Sequence, residues 1–130
     1  MRKIEYILIN DSMPATPCGK SSNISVDNLR HHYVINSAGE VLNPIDLCQP
    51  GSFMPKTGYG KDDLNQCSVG IKFNGKLSDQ RLRLVLIDLL LELRDHFPGA
   101  KILAKDEYDR WHTNVRNDMN QLRRELSDCL

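Results

Sequence analysis

The stretch from Ser78 to Phe97 limits what this chain can fold into more than any other, because it runs with no slack into Pro98-Gly99 and then into Ile102-Leu103-Ala104. Nine apolar side chains between Leu82 and Leu93 recur at helical spacing and wrap past a single stripe, which predicts a helix covered on more than one side. Ser78 is the expected N-cap, with Leu77 and Leu82 as a hydrophobic staple across it. Pro98-Gly99 ends the helix, and a helix that turns directly into a strand is an α/β connection.

The rest of the chain supplies the sheet. Ile4 to Ile9 is a short, nearly continuous apolar run, the pattern of a strand covered on both faces, and Asn10-Asp11-Ser12 ends it. His32 to Ile35 and Glu40 to Leu42 flank Asn36-Ser37-Ala38-Gly39, a hairpin in which Gly39 supplies the positive φ. Ser68 to Phe73 is a further strand, and Asn114 to Asp128 a last helix with Val115, Met119, Leu122 and Leu126 on one narrow stripe. Residues 12–25 and 43–64, rich in Pro, Gly, Ser and Asn, read as loops, the second long enough to be functional or the remnant of a function. With 130 residues, 40% of them hydrophobic, one domain is expected: a central mixed sheet of about four or five strands flanked by helices.

Charge narrows the function classes. The 17 basic and 17 acidic side chains cancel. Residues 1–65 hold 6 and 7 of them and residues 66–130 hold 11 and 10, so no basic surface for nucleic acid or an anionic membrane is expected. The longest apolar run is interrupted by Arg83, Asp88 and Glu92 and is too short to span a bilayer. Glu5 and Asn10-Asp11 interrupt the N-terminal apolar stretch, so no secretion signal is expected and the chain reads as cytoplasmic at synthesis. Cys18, Cys48, Cys67 and Cys129 lie far apart without a Cys-x-x-Cys pair and read as reduced structural thiols.

Taken in order, the junctions between these pieces resemble the zinc-dependent N-acetylmuramoyl-L-alanine amidases, the family that includes peptidoglycan recognition proteins and amidase-type phage lysozymes. The likeness runs from Met1 to about Glu107, leaving the last helix divergent. The family's first strand followed by His-x-Ser is similar to Ile7-Leu8-Ile9-Asn10-Asp11-Ser12. Its Tyr-His-aromatic strand resembles His31-His32-Tyr33-Val34-Ile35, and its Asn-x-x-Ser-apolar-Gly-apolar segment resembles Asn65 to Ile71. Its long helix, Pro-Gly-Ala-Lys and strand resemble Phe97 to Leu103.

The resemblance implies an amidase-like fold and, in the family, zinc held by two His and a Cys or Asp with a water of lowered pKa in the open position. Here Asn10 stands at the first His position and Lys105, in Ala104-Lys105-Asp106-Glu107, at the second. An ammonium has no lone pair to give a metal. The segment of the third ligand has become the last helix, and the carbonyl-polarising Tyr corresponds to His31. No metal site, no zinc cofactor and no catalytic residue are therefore expected; Asn10, His31 and Lys105 are degenerate counterparts, and His31, Asn65 and Lys105 the candidates for contacting a ligand.

Each candidate has a plainer alternative. His31 and His32, adjacent on a strand, would point to opposite faces and not share a ligand, His31 half-exposed and His32 packed. Lys105 with Asp106, Glu107, Asn10 and Asp11 would form a polar cluster in which an ammonium replaces the metal's charge, or else a solvated charge run. Trp111 before His112 could stack on a sugar or fill a core, His96 would meet the carbonyls ending the long helix, and Cys67 lacks an assignable base.

Three readings remain open: a degenerate amidase-like protein that binds a peptidoglycan fragment or protein partner, an active amidase with a displaced site, and a structural or regulatory module of a phage-like or mobile-element system. Association is also expected, as a homodimer or with another protein. Only Ile24 to Arg30 is available for the helix that follows the first loop in the family, which would leave one sheet face bare, and the Val115–Leu126 stripe could cover either its own sheet or a neighbour's.

Overall fold

The computed structural model describes residues 3–11, 28–53, 64–108 and 116–129. Five strands, β1 (Tyr6–Asn10), β2 (Tyr33–Ile35), β3 (Val41–Leu42), β4 (Ser68–Phe73) and β5 (Lys101–Ala104), form one sheet in the order β3-β2-β4-β1-β5. All neighbours are parallel except the β2–β3 hairpin. The helices are α1 (Gln80–His96), the single turn α2 (Lys105–Tyr108) and α3 (Asn117–Asp128). This is an α/β domain with a mixed sheet.

β4 is central and every one of its residues is buried, as its unbroken Ser-Val-Gly-Ile-Lys-Phe demands of a strand covered on both faces. β1 lies beside it and obeys the same rule: Ile7 and Ile9 enter the main core while Leu8, pointing the other way, is also buried. The strand begins at Tyr6 rather than Ile4 and runs one residue further, to Asn10.

α1 and α3 lie on one face of the sheet. Leu82, Leu86, Leu90 and Leu93 of α1 and Met119, Leu122 and Leu126 of α3 pack with Ile7, Ile9, Val69, Ile71 and Phe73, each fully buried large side chain contributing about 1.5–3 kcal/mol. α1 is covered by the sheet and by α3, with Arg83 set 3.5 Å from Glu125 across the helix pair, while Leu84 stays exposed. The cap of α1 is Asp79, not Ser78: its Oδ1 accepts from the amides of Arg81 at 3.1 Å and Leu82 at 3.3 Å. Both residues carry a capping oxygen, so sequence alone placed the start one residue early. His96 is exposed against Phe97, and the guanidinium that caps a helix end is Arg94's, which donates to the carbonyls of Leu126 in α3 and of Cys129 just after it.

The α3 stripe covers its own sheet. Val115 lies outside the described residues, but Met119, Leu122 and Leu126 are all buried within this chain. On the opposite face Leu8, Val34 and Phe53 are buried too. The bare sheet face on which an expected homodimer rested is therefore not seen at these positions. Gly39 turns the β2–β3 hairpin at φ +86°, and Asn36 Oδ1 accepts from the amides of Ala38 and Glu40. No helix among the described residues is long and apolar enough to cross a membrane.

Candidate functional site

Alternation along β1, β4 and β2 puts Leu8, Asn10, Gly70, Lys72 and Val34 on the face opposite α1 and α3. Gly70 opens a gap at the middle of that face, and Phe53 fills it: a Cβ on Gly70 would stand 2.6 Å from Cδ1 and Cε1 of the Phe53 ring. His31 stacks on this ring at 5.2 Å, and His32 meets it edge-on at 5.9 Å. Both imidazoles are wholly buried around one aromatic ring. They do not diverge as adjacent strand residues would, because the chain bends at 31 and 32 and β2 starts only at Tyr33. His31 is also not half-exposed.

His32 is a staple. Its Nδ1 accepts from the Gly70 amide at 3.0 Å and its Nε2 donates to the Gln49 carbonyl at 2.7 Å, which fixes a neutral ring with the proton on Nε2. The ring takes the place of a ladder carbonyl beside β4 and ties the 43–53 loop to the sheet. His31 contacts β1. Its Nε2 lies 3.4 Å from Asn10 Nδ2, so the amide donates to a ring nitrogen of a residue 21 positions along the chain.

The lysine directly beside Asn10 in the sheet is Lys72, its register partner, which is buried like Asn10 itself. Lys105 stands on the other side. Ile9 pairs with Ala104, so Asn10 and Lys105 are the next residues at the carboxyl ends of two adjacent strands, and the half-buried Lys105 opens α2 there. Asn65 is elsewhere. It is buried in the 3-10 turn Leu64–Gln66 before the amino end of β4, with roughly 13 Å of strand between Ser68 and the level of Asn10. In that turn the Ser68 hydroxyl and the Cys67 thiol both donate to the Leu64 carbonyl. The Asn-x-x-Ser segment thus shapes a turn, and its Asn does not join Asn10 and His31.

The acidic residues after Lys105 are neither a solvated run nor the partners of its ammonium. Arg116 takes Asp106 at 2.8 Å, Asp11 at the end of β1 at 2.7 Å and Asp118 in the first turn of α3 at 2.9 Å. Arg123 takes Glu107 through two contacts of 2.8 Å. Hydrogen bonding to Asp118 and Asp11 raises the Arg116 guanidinium above its ordinary range, and Arg116 in turn holds the Asp118 carboxyl below its own. Burial alone would raise the Glu107 carboxyl, but the hydrogen bonds from Arg123 and from the Ala104 amide, with the Arg123 charge, outweigh it and lower it. A cavity of about 360 Å³ opens where the loop before α1 meets α1 and α3, lined by Asp11, Lys76, Ser78, Arg83 and Asp118 among others.

Phe53, Lys72, Arg116 and Arg123 were not legible as site residues. Phe53 sits in a loop with no periodic signal, and the two arginines reach residues of other elements, Arg116 to Asp11 at the end of β1 and Arg123 to Glu107 in α2. Trp111, His112 and Cys18 lie outside the described residues, and the described cysteines, Cys48, Cys67 and Cys129, are free thiols.

The positions that the amidase resemblance aligns with metal ligands do not suit zinc. An amide at Asn10 and an ammonium at Lys105 supply neither imidazole nor carboxylate, and the nearby carboxylates of Asp11, Asp106 and Glu107 are engaged by guanidinium groups. Comparison with family models, with curated proteins and with solved structures found no match to this chain.

Proposed function

We propose that this chain is a catalytically degenerate N-acetylmuramoyl-L-alanine amidase-like protein that binds a peptidoglycan fragment or a protein partner without hydrolysing it. The observation that carries the reading is the contact between Asn10 and His31. These are the positions that the resemblance gives to the first metal ligand and to the carbonyl-polarising group, and they meet on one sheet face although 21 residues separate them. A catalytic centre of that family needs an open coordination position on a metal and a water whose proton has been shed. In its place the chain has an amide, an imidazole packed on Phe53 and the buried side chain of Lys72, groups that can form hydrogen bonds but include no set of metal-binding donors for lowering the pKa of a water.

The test is a titration of isotope-labelled protein with an N-acetylmuramoyl-L-alanyl peptide, following backbone amides of residues 9–11 and 70–76. Saturable shifts confined to the carboxyl ends of β1 and β4, with the ligand recovered intact, are expected. A spectrum unchanged at millimolar ligand would remove peptidoglycan binding from the account.

A further inference from the structure

Among the described residues β5 is an edge strand of the sheet, and two of its outward-facing backbone groups, the Ile102 carbonyl and the Ala104 amide, are already occupied by side chains. Lys101 donates its amide to Glu5 at 2.9 Å, inward toward β1, so Lys101 and Leu103 direct their backbone groups to β1 while Ile102 and Ala104 direct theirs to the open side. On that side Arg123 Nη1 donates to the Ile102 carbonyl at 3.1 Å, and the Ala104 amide donates to Glu107 Oε1 at 2.8 Å. The two side chains are joined to each other by paired contacts of 2.8 Å, and Asn120 Oδ1 steadies the guanidinium at 2.8 Å. Donor meets carbonyl and acceptor meets amide in the order that a neighbouring strand would provide.

We propose that the Arg123–Glu107 pair is a cap on the open edge of the sheet that excludes strand addition by a second copy of this chain. An edge with unpaired backbone groups is a template for another strand, and two copies of one edge can pair about a two-fold axis with the same surface on each side. The opposite edge, β3, has only two residues and offers far less to pair with. Ile102 and Leu103 are half-buried apolar residues whose remaining surface such a pairing would cover.

Three variants separate a cap from an ordinary ion pair: Glu107→Ala, Glu107→Gln, and the exchange Glu107→Arg with Arg123→Glu. Amide hydrogen exchange at Ala104 is read with light scattering as protein concentration is raised, and protected amides at Leu8 and Leu103 report that the sheet is folded. In Glu107→Ala the Ala104 amide should exchange about tenfold faster or more in dilute solution, and the mass should rise from 14.8 kDa toward twice that at high concentration, with protection of Ala104 returning. Glu107→Gln keeps an acceptor and should hold Ala104 near the wild-type rate. The exchanged pair, which cannot accept from that amide through an arginine, should behave like Glu107→Ala. An unchanged Ala104 rate in Glu107→Ala, protection restored by the exchanged pair, or a constant monomeric mass in a folded Glu107→Ala protein would each overturn the proposal. If Glu107→Ala does not fold, Glu107→Gln decides: fast exchange at Ala104 in that variant also overturns it.

Discussion

Gly70→Ala should be among the most damaging single-methyl additions in this protein. The new Cβ would stand 2.6 Å from two carbons of the Phe53 ring and 2.8 Å from a third, whereas carbons in contact sit about 3.5–4.0 Å apart. The overlap is about 1 Å and the ring has little room to yield. His31 stacks on it at 5.2 Å, a Cβ built on Gly51 would already lie 2.7 Å from the same ring, and β4 is bonded to a strand on each side. Overpacking of this kind costs about 1–3 kcal/mol, offset by about 0.5–1 kcal/mol because alanine has less backbone freedom to lose than glycine. If the ring is expelled instead, the loss approaches the ~3–5 kcal/mol of a buried Phe→Ala change. Urea unfolding of wild type, Gly70→Ala, Phe53→Ala and the double variant measures it. Because the confined ring puts the cost in the upper half of that range, a net loss of about 1–2.5 kcal/mol is expected, vanishing or reversing in the Phe53→Ala background. A Gly70→Ala protein within about 0.5 kcal/mol of wild type, or one equally destabilised without the ring, would refute this picture of the sheet's second face.

Arg116→Met should cost about 1.5–3 kcal/mol, chiefly by leaving the partly buried Asp11 carboxylate without its cation, since Asp106 and Asp118 are half-exposed and add little; restoring part of that loss with Asp11→Asn in a double-variant cycle is the check. The Asp118 and Glu107 carboxyls sit below their ordinary values in the folded protein, so their contribution to stability is complete above about pH 4–4.5 and is lost as pH falls through the folded values. Acid unfolding followed by circular dichroism should therefore show a shallower acid limb in Arg116→Met than in wild type, with no difference in the limb's steepness counting against the assignment.

The elements with an uninterrupted period were legible in the sequence. Ile7 to Ile9, Ser68 to Phe73 and the Met119–Leu126 stripe bury the side chains their spacing selects, and of the nine apolar residues from Leu82 to Leu93 six are buried while Leu84 is exposed. Boundaries shifted by a residue or two where neighbouring residues could serve the same purpose, as Ser78 and Asp79 could. α2 was missed because a single turn has no period. The site was less legible for a different reason. Alternation failed at His31 because the chain bends before it becomes a strand, and the charge of Asp106 and Glu107 is balanced by Arg116 and Arg123, whose reach depends on how α3 lies against β5. Asn10 and His31 came together, whereas Asn65, aligned with them only by resemblance, ended up before the far end of β4.

Incubating the purified protein with an N-acetylmuramoyl-L-alanyl peptide in the presence of added zinc, and separating the mixture by chromatography, addresses the central claim most directly. The account predicts that the ligand is recovered whole at every time point and that zinc added in excess is removed by simple buffer exchange. Release of the free L-alanyl peptide, with about one zinc retained per chain, would contradict it.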